Sequence, residues 1–317
     1  MYSKGTIYST FGKRTSLSRL IYISGTNQII RLVPDKILRS DIFGGLLVNI
    51  LELKEKNKKL EDVLLQIGKV IIAFSGGVDS TFLLARAKEV LGKENVLAVT
   101  AKSETFPERE YNEAIQLIEA IGVNHKTITI HELENKNFVS NTHLRCYHCK
   151  TGLFTNVKEL AKQLDFPYVI DGTNASDVHD YRPGMKALDE LQVKSPLKDA
   201  GLTKEDIRVL SKEMNLPTWN KPSFACLSSR IPYGTQITQD KIDQLDACEN
   251  YLYSLGIKQL RVRHHGNIAR IEADEQGFDI VVKNRHDIER KFKEYGFAYI
   301  TLDLAGYRTG SMNIEAS

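Results

Sequence analysis

Cys146 and Cys149 stand three positions apart in HLRCYHCK, residues 143–150, and the chain has only two further cysteines, Cys226 and Cys248. Thiolates bind zinc and iron–sulfur centres, and paired thiols also carry out redox exchange. A four-cysteine zinc ribbon needs a second such pair, and there is none. Cys248 falls among Leu245, Tyr251 and Leu252 in a helical pattern, the setting of a buried apolar thiol. Cys226 lies in KPSFACLSSRIPYG, an irregular segment with Pro222, Pro232 and Gly234 that follows the single tryptophan, Trp219. The residues alone leave three chemistries open. One is structural Zn²⁺ completed by a histidine such as His148; another is a redox dithiol at Cys146 and Cys149. The third is thiolate ligation of a [4Fe-4S] cluster.

A second constellation is AFSGGVDSTFLL, residues 73–84, between an expected strand and an expected helix. Gly76 and Gly77 allow a sharp turn that brings backbone N–H groups to an anion. Ser75, Ser80 and Thr81 add hydroxyl donors, and the helix that follows points its positive end at the same place. The G-K-[ST] lysine of a Walker loop is missing, and the pattern is not G-x-G-x-x-G. Asp79 inside a phosphate cradle suits Mg²⁺ held between phosphates, or a helix cap. VIDGTNASD, residues 169–177, also follows a strand; Gly172, Thr173 and Asn174 supply turn donors, and Asp171 and Asp177 carry charge for a metal. The first segment resembles the pyrophosphate-binding loop of the ATP pyrophosphatase superfamily, S-G-G-x-D-S, at every fixed position. That resemblance implies ATP as a bound substrate, cleaved between its α- and β-phosphates.

The elements that must position these groups follow from periodicity. LLVNILELKEKNKKLEDVLLQI reads as one or two amphipathic helices. VIIAF, NVLAVTA, HKTITI and YVIDG read as strands, separated by the helices STFLLARAKEVLG, PEREYNEAIQLIEAIG and GLFTNVKELAKQLD. The alternation predicts an α/β fold with a doubly wound parallel sheet, whose ligands sit beyond the carboxyl ends of the strands. After residue 195 the texture changes. Thr203 to Asp206 looks like a capping box, a helix follows at ITQDKIDQLDACENYLYSLG, and QLRVRHH with IARIEA forms a hairpin around Gly266-Asn267. The expected division is a basic extension at 1–43, a nucleotide-binding domain at 44–195 and a smaller C-terminal α+β domain at 196–317.

Composition narrows the class. The 317 residues are 42% hydrophobic and 26% charged, with net charge +3, the profile of an ordinary globular chain. That charge suits an anionic small molecule and argues against nucleic acid as a partner. Residues 1–40 carry Lys4, Lys13, Arg14, Arg19, Arg31, Lys36 and Arg39 against Asp35, which reads as a poorly ordered extension, an artefact of the chosen start, or an RNA-touching arm. No apolar run reaches the ~18 residues of a membrane span. The first residues lack a signal-peptide core, and four cysteines are too few for a disulfide scaffold, so the cytoplasm is the expected location.

Further segments, RCYHCK, DGTNASD, DYRPG, SPL, AGLTKEDIR, LPTWNKPSFACLSSRIPYG, RVRHH, ARIE and GYRTGSMN, make the chain similar, in order over residues 55–313, to the LarE-type sulfur transferases. The resemblance implies a fold of the PP-loop ATP pyrophosphatase type. It also implies a role in making the nickel-pincer nucleotide cofactor of lactate racemase. The carboxylates of pyridinium-3,5-biscarboxylic acid mononucleotide would be adenylylated by ATP and converted to thiocarboxylates, with sulfide or another donor supplying sulfur. Some members sacrifice the cysteine at the ACL position; others carry three cysteines as ligands of a [4Fe-4S] cluster with one iron free. Cys146, Cys149 and Cys226 match the second kind, and a re-sulfurated cluster permits turnover where a sacrificed cysteine permits one transfer. The Zn²⁺ and dithiol readings stay open beside it.

A substrate with a phosphate and two carboxylates needs cations, and Arg182, Arg230, Arg261 and Arg263 are the candidates. Arg261 and Arg263, two apart on a strand, share a face. Ser228 and Ser229 neighbour Cys226 and could donate to an oxyanion or phosphate. Glu249 and Glu272 are candidates for Mg²⁺ or a substrate group. His264 and His265 read as hairpin residues, because acyl transfer to sulfide needs no strong base. A homo-oligomer is expected from the family. The rivals are a tRNA thiolase with the same loop and a three-cysteine cluster, and a non-catalytic carrier.

Overall fold

The computed structural model describes residues 20–22, 29–31, 40–179, 183–308 and 310–312. Two short strands, β1 (Leu20–Tyr22) and β2 (Ile29–Arg31), pair antiparallel. Residues 1–19, 23–28 and 32–39 of the basic extension lie outside the described residues. The pattern at LLVNILELKEKNKKLEDVLLQI resolves as a single helix, α1 (Ser40–Ile67). The chain divides into two units, Met1–Glu55 and Lys56–Ser317. The second contains the remainder of α1, whose Leu60, Leu64 and Ile67 recur at helical spacing and are buried.

The elements that follow are β3 (Val70–Ala73), α2 (Val78–Leu91), β4 (Val96–Ser103), α3 (Glu108–Ile121) and β5 (Asn124–Ile130). Next come α4 (Lys136–Val139), α5 (Arg145–Gln163), β6 (Tyr168–Ile170), α6 (Pro183–Glu190), α7 (Pro196–Asp199) and α8 (Lys204–Glu213). The strands form one wholly parallel sheet in the order β5-β4-β3-β6. Val70, Ile71 and Ile72 are fully buried, as strands covered on both faces must be. One face of the sheet, through Ile71, Leu97, Val99 and Val169, packs on Phe154, Val157 and Ala161 of α5 and Leu188 of α6. Edge strand β5 instead has only exposed and half-buried residues. Because β3 has β4 on one side and β6 on the other, the connections reverse direction between β3 and β6. A crevice forms outside the carboxyl ends at such a point.

The C-terminal part comprises α9 (Gln239–Ser254), β7 (Leu260–His265), β8 (Ile268–Ala273), α10 (Glu275–Lys283), α11 (Arg285–Glu294) and β9 (Tyr299–Leu302). β7 and β8 form the expected hairpin, with Gly266 at φ 65°, and β9 joins β8 in parallel. Leu245, Cys248 and Leu252 of α9 pack with Val262, Ile271 and Phe292 in the second core. The same core takes Phe138 from α4 and Leu227 from the ACL segment. Phe138 precedes the cysteine helix in a stretch read as part of the first domain, so the two cores interleave along the chain.

Candidate functional site

The phosphate loop occupies the switch point. Gly76 has φ 70°, and a Cβ there would stand 3.0 Å from the Cβ of Ala114 on α3, so both the conformation and the space call for glycine. The Ser75 and Ser80 hydroxyls lie 3.2 Å apart, and Ser80 Oγ also donates to the Gly77 carbonyl at 3.3 Å. Thr81 is fully buried at the start of α2. The loop after β6 closes on the first: a Cβ on Gly172 would meet the backbone N of Ser80 at 3.1 Å and its Cα at 3.3 Å. Buried Asp171 shapes this second loop by accepting from Thr173 N at 3.2 Å, Thr173 Oγ1 at 2.6 Å and Ser195 Oγ at 2.7 Å. Asn174 donates its backbone N–H to Asp177 at 3.0 Å. The structure thus brings Ser75, Gly76, Gly77, Asp79, Ser80, Thr81, Gly172, Thr173 and Asn174 to one edge of the sheet.

Asp79 pairs with Lys204, the first residue of α8, through one carboxylate oxygen. Its other oxygen, Oδ1, is buried without a hydrogen-bond partner. Burial pushes the Asp79 carboxyl up, the charge of Asp177 adds to that, and Lys204 opposes it. A second cation beside the loop is Lys221, whose Nζ donates to the Gly76 carbonyl at 3.3 Å and pairs with Glu110 and Glu113 at 2.9 and 3.0 Å. An unsatisfied carboxylate oxygen near another carboxylate is chemistry for a hard divalent cation. Asp79 and Asp177 therefore fit Mg²⁺.

The cysteines come from different elements. The sequence places a helix only after Cys149, but α5 begins at Arg145, so Cys146 and Cys149 lie one turn apart on its first turns. Cys226 precedes a short 3₁₀ turn, Leu227–Arg230, with its sulfur 2.9 Å from Ser228 Oγ. That loop is tied to the sheet edge twice. Leu227 donates its N–H to the Thr105 carbonyl beyond β4 at 2.9 Å, and Lys221, five residues before Cys226, reaches the phosphate loop. Cys146 keeps surface open to solvent, yet loss of water around its sulfur and then the neighbouring Cys226 push its thiol up, against Arg145 and Lys150. Burial pushes Cys149 well up, helped by the Glu132 carboxylate and by Cys226. Cys149 thus lies in the field of both other sulfurs, and Cys146 in that of Cys226. Free thiols held high are poor redox nucleophiles, whereas bound metal makes thiolates of them. Among the described residues no group of three or more His, Cys, Asp or Glu is arranged to hold a metal ion. Cys248 is fully buried in the second core, and burial raises its thiol. A cavity of about 280 Å³ borders Cys149, lined also by His131, Glu132, Asn135 and His148.

The arginines behave differently from surface ligands. Arg230 is fully buried and its Nε and Nη2 grip the Glu249 carboxylate at 2.9 and 3.0 Å. Its Nη1 donates to the carbonyls of Ala225 (2.6 Å) and Cys226 (3.0 Å) and to Ser229 Oγ (2.9 Å). Arg230, a catalytic candidate by sequence, thus bridges the Glu249 carboxylate and the backbone of the Cys226 loop. Ser229 turns its hydroxyl back to the Cys226 carbonyl at 2.8 Å. Arg261 and Arg263 share the face of β7 that meets this loop, donating to the carbonyls of Ser223 at 2.5 Å and Ser229 at 3.1 Å. Both are about 95% buried, so the pair is no solvated face. Glu249 also accepts from Val262 N, and Glu272 accepts from Arg263, Arg270 and Ser311. Both acids, read as candidate Mg²⁺ ligands, are the counter-charges of buried arginines in this structure. Arg182 lies outside the described residues. The sequence reading missed Arg145, Asn141, Glu132, Lys204 and Lys221, although Arg145 adjoins Cys146, Lys204 adjoins its helix cap and Lys221 opens the KPSFACLSSRIPYG segment.

A parallel sheet with an S-G-G-x-D-S turn at its switch point defines an ATP-pyrophosphatase, or PP-loop, nucleotide-binding protein. Consistently, the NAD synthase family matches residues 52–146. The chain is 41% identical over 262 residues to the pyridinium-3,5-bisthiocarboxylic acid mononucleotide synthase of Lactiplantibacillus plantarum, covering 82% of this chain and 95% of that protein. It belongs to that family. An uncharacterized Synechocystis protein is 39% identical over 263 residues, 82% of this chain and 98% of its own length. An uncharacterized Methanocaldococcus jannaschii protein is 30% identical over 83% of this chain and 96% of its own. Among the described residues no helix is long and apolar enough to cross a membrane.

Proposed function

We propose that this chain is a cytoplasmic ATP-dependent sulfurtransferase that converts the carboxylates of pyridinium-3,5-biscarboxylic acid mononucleotide to thiocarboxylates. The phosphate loop and the Gly172 turn bind ATP with Mg²⁺, for which Asp79 and Asp177 supply oxygen ligands. A substrate carboxylate oxygen attacks the α-phosphorus, the bond to the β-phosphate oxygen breaks, and pyrophosphate leaves. Sulfide sulfur then attacks the acyl carbon of the adenylate. The C–O bond breaks, AMP departs with the electron pair, and a thiocarboxylate remains. Neither step needs a strong side-chain base. The chain's contribution is orientation and charge: backbone N–H groups at the start of α2 face the departing pyrophosphate. Lys204 and Lys221 add positive charge beside the loop.

Cys146, Cys149 and Cys226 would hold a [4Fe-4S] cluster, which when bound supplies an open iron site for the sulfur to be transferred. Support for this comes from Cys226, whose charge bears on both Cys146 and Cys149. The observation that carries the whole proposal is the double tie of the Cys226 loop, at Lys221 to Gly76 and at Leu227 to Thr105. It keeps the sulfur-bearing loop within five residues of the nucleotide loop.

The test is anaerobic mass spectrometry after incubation with ATP, Mg²⁺, the dicarboxylate mononucleotide and sulfide. The expected products are AMP, pyrophosphate and a nucleotide with sulfur in place of carboxylate oxygen. ATP left intact, or sulfur appearing only in added tRNA, would reject the assignment.

A further inference from the structure

The helix that bears Cys146 and Cys149 is locked to the Cys226 loop by one buried pair, Asn141 and Arg145. Asn141 has no exposed surface and a left-handed backbone, φ 51°. Its Nδ2 donates to the carbonyls of Pro232 and Thr235, each at 2.8 Å, and to that of Ile231 at 3.3 Å. Its Oδ1 accepts from Arg145 Nη1 at 2.7 Å, and the same nitrogen donates to the Ser228 carbonyl at 3.1 Å. The Arg145 guanidinium also lies 5.1 Å from the ring centre of Tyr233. Every one of these partners is neutral. Yet Arg145 is 95% buried and its Nε has no acceptor. A buried cation with only neutral partners and a spare N–H lacks its counter-charge. The sulfurs nearest this clasp are those of Cys146, the next residue of the helix, and of Cys226, which lies 2.9 Å from the hydroxyl of the same Ser228 that accepts from Arg145.

We propose that Arg145 is the positioning residue of the sulfur site, clasping the Cys226 loop to the cysteine helix and presenting its guanidinium to the thiolates as N–H donor and counter-charge. This rests on the reading of the three cysteines as cluster ligands. The clasp explains how residues 80 positions apart in sequence, Cys146 and Cys226, hold one arrangement before any metal arrives. Hydrogen bonds to the sulfurs of such a centre also set its reduction potential.

Arg145→Lys and Arg145→Gln separate the two roles, because Lys keeps the charge without the fork. In iron-free full-length protein, alkylation of Cys226 by iodoacetamide, followed by mass spectrometry, should be roughly tenfold faster in both variants, the factor for losing about 1.4 kcal/mol of holding energy. In reconstituted protein the midpoint potential should fall in Arg145→Gln, where the added electron loses a nearby cation, and fall less in Arg145→Lys. Unchanged alkylation in both variants, or equal potentials for Arg145→Gln and the parent, overturns the proposal. If Arg145→Gln does not fold by circular dichroism, Arg145→Lys decides by its alkylation rate. If the parent protein takes up no iron, the cluster reading fails, while the alkylation result still judges the clasp.

Discussion

Replacing Arg230 with Met removes one side of a fully buried ion pair and leaves Glu249, 3% exposed, without its main partner. Breaking such a pair costs about 3–5 kcal/mol, because the remaining charge stays buried. Arg261 also lies in the field of Glu249, so the low end applies, about 3 kcal/mol. At about 2.1 cal/mol/K per residue, a chain of this length shifts by about 1.5 °C per kcal/mol, so the melting temperature should fall by about 4–5 °C. The loss should depend on pH. Burial alone would raise the Glu249 carboxyl; in the parent, Arg230 and then Arg261 outweigh it and hold the group below its ordinary 4.5. A lowered carboxylate contributes stability above its unfolded pKa and loses it as pH falls through the folded value. Without Arg230, burial prevails and the folded pKa rises, so the carboxylate is destabilising at neutral pH and is relieved by protonation. The difference between parent and variant should therefore be largest at pH 7–8 and shrink toward pH 5. Adding Glu249→Gln to the variant should recover part of the loss, since a neutral amide is cheaper to bury. Calorimetry or denaturant melts at both pH values measure this. An equal loss at pH 5 and pH 8, with no recovery in the double variant, would refute the reasoning.

Gly172→Ala places a methyl 3.1 Å from Ser80 N; the phosphate loop must shift, and ATP affinity, by calorimetric titration, should fall about tenfold, as about 1.4 kcal/mol of strain gives, with little change in fold. Thr203→Ala removes a complete capping box at α8 and should cost about 0.5–2 kcal/mol in a denaturant melt. Anaerobically purified protein should carry about four irons per chain. Cys146→Ala, Cys149→Ala and Cys226→Ala should each lose iron and brown colour, while Cys248→Ala, in the second core, should keep both; iron retained by Cys146→Ala would contradict the assignment.

Much of the architecture was legible because local rules carry it. Four β-branched runs alternating with helices specified a parallel sheet, and the fixed spacing of S-G-G-x-D-S specified a phosphate cradle at a strand end. Thr203 and Asp206 announced a helix start, and Gly266-Asn267 announced a hairpin. One expectation changed, and the structure adds partners to three candidate site residues, for physical reasons. The cysteine helix starts earlier because Arg145 and the residues after it already satisfy helical spacing. Arg230 became a loop-shaping group because a guanidinium with five donors can hold several carbonyls and a carboxylate at once. Glu249 and Glu272 became counter-charges because buried arginines need them.

What the sequence determined by itself, then, was the set of elements, the nucleotide cradle and the identity of the candidate thiols, since each depends on residues within a few positions of one another. Only the tertiary structure decided that β6 lies beside β3, that Gly172 abuts Ser80, and that Asn141 and Arg145 fasten the Cys226 loop to Cys146. Those are contacts between segments tens of residues apart, chosen by which burials and buried hydrogen bonds can be satisfied together, and no local pattern encodes that choice.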